Sequence, residues 1–277
     1  MRRVLALLLL WGLAAARPVA VATLPPYAWL AGQVLGPGWQ VRALVPPGAN
    51  PHLYAPRPSD LKAVMGARLV VMNGLGLDDW MVEKIVRPNA LKATLVRAEE
   101  SAEGKVLRLP NGEPDPHLWT DPWILAAFAR DLAAAAAGLD PKGAPGYRER
   151  GAAVARRLVA FGEAERAAFA KLPGRRFVAY KNPFSYLVAR YRLERVYLIG
   201  KAVNAEPSPR ELAEAARVLH AYRLPALVAP GILAREARRV AANLGVGVVA
   251  IDLLDRADPD YLATWRENLA ALRGALR

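Results

Sequence analysis

The chain has no cysteine among its 277 residues and only three histidines. The first absence excludes disulfides, thiolate metal ligands and a cysteine nucleophile, and it removes the usual attachment point of a lipid anchor. Any metal site must therefore be built from nitrogen and oxygen. Long apolar runs are scarce as well. The run at residues 4–13 falls short of the roughly 20 residues that span a bilayer, and no other segment is expected to approach that length. Preceded by Arg2 and Arg3 and followed by Ala14-Ala15-Ala16, it reads as a secretory signal peptide occupying residues 1–16.

Acidic residues are outnumbered, 25 against 38 lysines and arginines, so the net charge is +13. Such a balance raises the question of nucleic acid. The arginines are dispersed through alanine-rich helical stretches, as at Arg148, Arg150, Arg156 and Arg157 or Arg235, Arg238 and Arg239, and are not gathered around exposed aromatics. The expectation is a solvated cationic surface with no nucleic-acid partner, one that favours loose attraction to anionic envelope surfaces.

The hydrophobic fraction, 54%, is enough to fill one large core or two of ordinary domain size. Strand and helix signals alternate: strands at 18–23, 40–45 and 68–72, with helices at 27–35, from Ser59 onward and at 121–137. Alternation of this kind favours a parallel sheet covered by helices. A proline- and glycine-rich break at 139–146 follows, and then Tyr147, Val154, Leu158, Phe161, Ala168 and Leu172 recur at helical steps. That pattern predicts one continuous amphipathic helix, about 39 Å long at 1.5 Å per residue, stopped by Pro173-Gly174. Strands at 176–180, 195–199, 226–229 and 246–251, each followed by a helical stretch, form a second α/β unit. No sequence repeat links the halves, so any likeness between them must be structural.

Chemistry-bearing residues fall in loops after predicted strands, where open parallel sheets place their ligands. Prolines in Pro46-Pro47-Gly48-Ala49-Asn50-Pro51-His52-Leu53-Tyr54 stiffen the loop around His52, and Ser59 is the expected cap of the helix beyond. On these residues alone, His52 is equally a metal ligand or a surface histidine in a rigid turn. A second proline-rich loop, Asp115-Pro116-His117-Leu118-Trp119-Thr120-Asp121-Pro122, sets His117 just before a helix. His220, in a helical run, is expected to be an ordinary helix histidine.

The strings Val45-Pro46-Pro47-Gly48, Pro51-His52, Pro58-Ser59-Asp60-Leu61-Lys62, Asn73-Gly74-Leu75-Gly76-Leu77 and the His117 loop occur in one order along the chain. With Phe184-Ser185-Tyr186-Leu187 and Glu206-Pro207-Ser208-Pro209 they make a sequence that resembles the zinc and manganese solute-binding proteins of ABC importers. The resemblance covers nearly the whole chain after the signal peptide. It implies an α/β fold of two Rossmann-like parallel-sheet lobes joined by one long rigid helix, with a metal cleft between the lobes. The corresponding division is 17–143, 144–173 and 174–277. It further implies a receptor that delivers a divalent ion to a membrane permease and performs no catalysis; with the signal peptide and no cysteine to take a lipid, the expectation is a periplasmic monomer without a lipid anchor. Zinc is favoured and manganese is next.

Carried over motif by motif, the resemblance makes His52 and His117 the first-lobe ligands and Asp252, in Ala250-Ile251-Asp252-Leu253-Leu254, the second-lobe carboxylate. Lys181 stands where this family carries a histidine or a glutamate. Two unit charges 4 Å apart interact by about 4 kcal/mol at an effective dielectric of 20, so an ammonium facing a divalent ion is repelled by about twice that. Swinging aside on a long stem is the least costly response, leaving three ligands and an open position that zinc tolerates. Lys181 also keeps open a metal-free envelope scaffold with a degenerate site. A zinc hydrolase fits less well, because the chain contains no His-Glu-x-x-His helix.

Overall fold

The computed structural model describes residues 16–89, 91–109, 111–181, 183–200, 206–253 and 260–276. Residues 1–15 of the expected signal peptide, Asn182 and Leu254 lie outside these.

The first half runs β1 (Val19–Ala22), α1 (Pro25–Leu35), β2 (Gln40–Ala43), α2 (Pro58–Met65), β3 (Ala67–Met72), β4 (Thr94–Arg97), α3 (Ala98–Ser101) and α4 (Pro122–Leu139). A 27-residue helix follows, α5 (Ala144–Ala170). The second half contains β5 (Arg176–Tyr180), α6 (Ser185–Tyr191), β6 (Glu194–Ile199) and α7 (Pro209–Tyr222). It continues through β7 (Ala226–Pro230), α8 (Ala234–Leu244), β8 (Gly247–Ile251) and α9 (Tyr261–Ala275).

The strands form two parallel sheets in the orders β2-β1-β3-β4 and β6-β5-β7-β8. Both halves thus use the same strand order, a structural repeat with no repeat in sequence. The chain folds as two parallel-sheet α/β lobes, as the alternation of strands and helices predicts.

Strand alternation divides the apolar residues between two faces. Val21, Val70 and Met72 point to an outer core with Val64 and Met81, while Val178, Leu227 and Ala229 point to a second outer core with Ala215 and Ala237. The opposite faces share one inner core. Ala20, Leu69 and Val71 from the first sheet and Phe177, Ala179 and Val228 from the second meet around α1, α4, α5 and α9. Helix α5 packs on α1 and α4 of one lobe and on α6 and α9 of the other, and its Arg150 donates to the carbonyls of Val34 and Leu35 at the end of α1, both at 2.9 Å.

Several boundaries depart from expectation. Helix α5 begins at Ala144, as the 144–173 division has it and three residues before its apolar period starts at Tyr147, because a proline is tolerated in a first turn, where its missing N–H would have no partner. Ser59 does not cap α2, which starts at Pro58; the Asp60 carboxylate instead accepts the Arg57 N–H at 2.7 Å. The expectation that no further segment approaches membrane-spanning length is corrected by α4, whose 18 residues are long and apolar enough. More than half of that helix is buried, against α5 and α1, so it is a core helix of the fold.

Candidate metal centre

His52 and His117 reach one point from two loops of the first lobe. Residues Pro51–Leu53 form a single 3-10 turn, started by Asn50, whose side-chain oxygen accepts the His52 N–H at 3.0 Å. His117 precedes a second 3-10 turn, Leu118–Thr120, and the Thr120 hydroxyl donates to the His117 carbonyl at 2.7 Å. Asp121 then caps α4 by accepting the N–H groups of Trp123 and Ile124.

The two Nε2 atoms lie 3.2 Å apart, with the ring planes inclined by 54°. Two nitrogens bound tetrahedrally to zinc at about 2.0–2.1 Å are about 3.3 Å apart. The pair therefore has the spacing of one edge of a zinc tetrahedron.

Asp115 sits behind His117, wholly buried, and accepts both its N–H at 3.0 Å and its Nδ1 at 2.6 Å. Burial pushes the Asp115 carboxyl up, but the bonds and charge of His117, with the Ser185 hydroxyl, outweigh it and hold the carboxyl below its ordinary value. A carboxylate has no proton to give, so Nδ1 is the donor, and in the neutral ring this leaves the Nε2 lone pair facing His52. Outer carboxylates fix metal-binding histidines in this way.

Burial pushes the His52 imidazole down to about 4, and the neighbouring His117 reinforces the effect against the weaker opposite pull of Asp115. The residue as a whole is exposed while its Nε2 faces His117, so the buried nitrogen sets the direction and the open edge moderates it. His52 is neutral at neutral pH. With His117 in its neutral form donating through Nδ1, the hydrogen between the two Nε2 atoms is supplied by His52. A cation held by both rings would take that hydrogen's place, which would leave the His52 proton on Nδ1.

The second-lobe positions lie at strand ends. Asp252 directly follows β8, half-buried, and its main chain is fixed by a reciprocal amide pair with Asn268 on α9, at 2.9 and 2.7 Å. Lys181 follows β5 in the left-handed region, φ +63°, and its N–H donates to the Ile199 carbonyl at 2.9 Å. Burial pushes its ammonium down, and Glu211 on α7 opposes the shift. Among the described residues, no group of three or more His, Asp or Glu side chains gathers closely enough to hold a metal ion. The structure thus brings His52 and His117 together and leaves Asp252 and Lys181 at the ends of their own strands. His220 is exposed on α7, in keeping with its reading as an ordinary helix histidine.

Two supporting residues escaped the sequence reading, Asn50 and Asp115. Each stands two residues before a histidine, with proline between, and an acceptor there reaches the following N–H.

Residues 20–275 match the family described as ZnuA, zinc-uptake complex component A periplasmic. A putative metal-binding protein of Thermotoga maritima is 37% identical over 108 residues, 39% of this chain and 36% of that relative, so the match spans about a third of the relative's length. The iron-binding protein YfeA of Yersinia pestis is 25% identical over 238 residues, 81% of this chain and 74% of its own. A crystal structure of ZnuA superposes with a TM-score of 0.84 at 25% identity, covering 94% of this chain and 99% of that one. With the family pattern matched from β1 to the end of α9, the chain belongs to the periplasmic zinc-uptake component A family.

Proposed function

We propose that this chain is the extracytoplasmic receptor of a metal-ion ABC importer, binding one divalent cation between its lobes and delivering it to a membrane permease. His52 and His117 supply two imidazole nitrogens, Asp252 supplies a carboxylate oxygen from the second lobe, and water fills the remaining position. Lys181 stands aside and does not ligate. The lobes correspond to 17–143 and 174–277, with 144–173 as the rigid connection, and the receptor acts as an exported monomer after loss of residues 1–16.

The observation that carries this reading is the pair of Nε2 atoms 3.2 Å apart, with Asp115 fixing the tautomer of His117. Imidazole ligands favour zinc over manganese in the usual affinity order. The matched family is described for zinc uptake while one relative is named for iron binding, so the scaffold by itself does not fix the metal. The test is metal analysis of protein purified without chelator or affinity tag, then zinc and manganese titration of the stripped protein. One zinc per chain, bound more tightly than manganese, is the expected result.

A second reading, a metal-free envelope scaffold, is favoured by one feature: a lysine where the resemblance implies a ligand. Failure of the same titration to detect any bound cation would select it.

A further inference from the structure

Besides the Ser185 hydroxyl on the Asp115 carboxylate, three hydrogen bonds among the described residues cross from the second lobe to the loop that carries His117. The Tyr186 hydroxyl on α6 donates to the Asp115 carbonyl at 2.9 Å and accepts the Leu107 N–H at 3.3 Å. The Tyr261 hydroxyl, at the start of α9, donates to the Trp119 carbonyl at 2.7 Å. Arg190 on α6 pairs through Nε with Asp121 Oδ2 at 2.6 Å. The three acceptors stand two residues before, two after and four after His117, and all are buried.

Tyr186 and Tyr261 are themselves buried, so water cannot replace their hydroxyls without an opening of the structure. Moving α6 and α9 away from the loop strands two carbonyls, and a buried acceptor without a donor is costly. Asp115 connects this grip to the histidine. Its carbonyl is held by Tyr186, and its carboxylate aims the His117 ring.

We propose that the second lobe governs how firmly the cation is held by gripping the His117 loop through Tyr186, Tyr261 and Arg190, so that separating the lobes loosens a ligand belonging to the first. This rests on the receptor reading above. The three side chains are positioning residues that need not touch the cation. Their arrangement makes release sensitive to any partner that draws α6 and α9 off the loop.

The test uses the full chain with Tyr186→Phe, Tyr261→Phe and Arg190→Gln. The first two keep the ring and lose only the hydroxyl, and the third is at a half-exposed site that leaves the buried tyrosines in place. Amide hydrogen exchange is followed without added metal, and zinc dissociation is followed into excess chelator. Exchange at residues 115–121 should quicken about tenfold in each variant while β3 and β7 keep their protection. Zinc should leave about fivefold to tenfold faster, the scale of one lost hydrogen bond. Dissociation within about twofold of the parent in all three folded variants would overturn the proposal while the receptor reading stands. Faster exchange with unchanged dissociation would overturn it too, leaving the contacts purely structural. A parent that takes up no zinc would overturn both readings.

Discussion

Lys181 lies along Gly200. A Cβ on Gly200 would sit 3.1 Å from both the Cε and the Nζ of the lysine, and the two residues share left-handed backbones, φ +63° and +68°. The lysine stem finds its place over the end of β6 because the facing residue has no side chain. Gly200→Ala should therefore destabilise the fold by about 1–2 kcal/mol, combining the strain of alanine at positive φ with the contact against Lys181. Adding Lys181→Ala should recover only the contact part. Urea unfolding midpoints check both, and an unchanged midpoint in the single variant contradicts this packing.

Replacing the lysine tests what the site lacks. Lys181→His removes a cation and offers a neutral nitrogen, so zinc affinity at neutral pH should rise about tenfold. Calorimetric titration of parent and variant measures it. If the two bind alike, position 181 does not border the cation, and Asp252, placed by the same motif alignment, loses support with it.

How much of this was legible depends on whether a residue's partner lies near in sequence. β3, buried on both faces, shows itself as the apolar run Leu69-Val70-Val71-Met72, and α5 shows itself by its long helical period. β4 was missed because only Leu95 and Val96 mark Thr94–Arg97 as apolar, and it is its pairing with β3 that makes it a strand. Helix α4 was not recognised as a core helix of membrane-spanning length because alanines weaken its apolar signal, while burial by α5 decides its role. At the centre, the histidines stood out by their proline-rich loops. The hydroxyls of Tyr186 and Tyr261 did not, since their acceptors lie 71 and 142 residues away.

His52 gives a pH signature. Its imidazole falls from 6.5 to about 4 on folding, so its contribution to stability is complete above 6.5 and is lost as pH drops through 4. Unfolding midpoints of the stripped protein should decline across that window, modestly, because one edge of the ring meets solvent. His52→Gln, which cannot titrate, should flatten the decline; an identical slope in the variant contradicts the depressed value.

Asp115 should matter to the cation without touching it. Asp115→Asn keeps the size but loses the charge that fixes Nδ1–H on His117, and outer-carboxylate changes of this kind cost about 10–100-fold in metal affinity. Competition against a chromophoric chelator reads the loss. Affinity within about twofold of the parent would mean that His117 is oriented by its loop alone.

The central claim, that His52 and His117 together hold a divalent cation, is tested most directly by zinc titration of the stripped parent beside His52→Ala, His117→Ala and His220→Ala. The account predicts one zinc per parent chain, affinity at least about a hundredfold weaker in each of the first two variants, and parent-like binding by the third. Equal effects from all three substitutions, or a parent that binds no zinc, would contradict it.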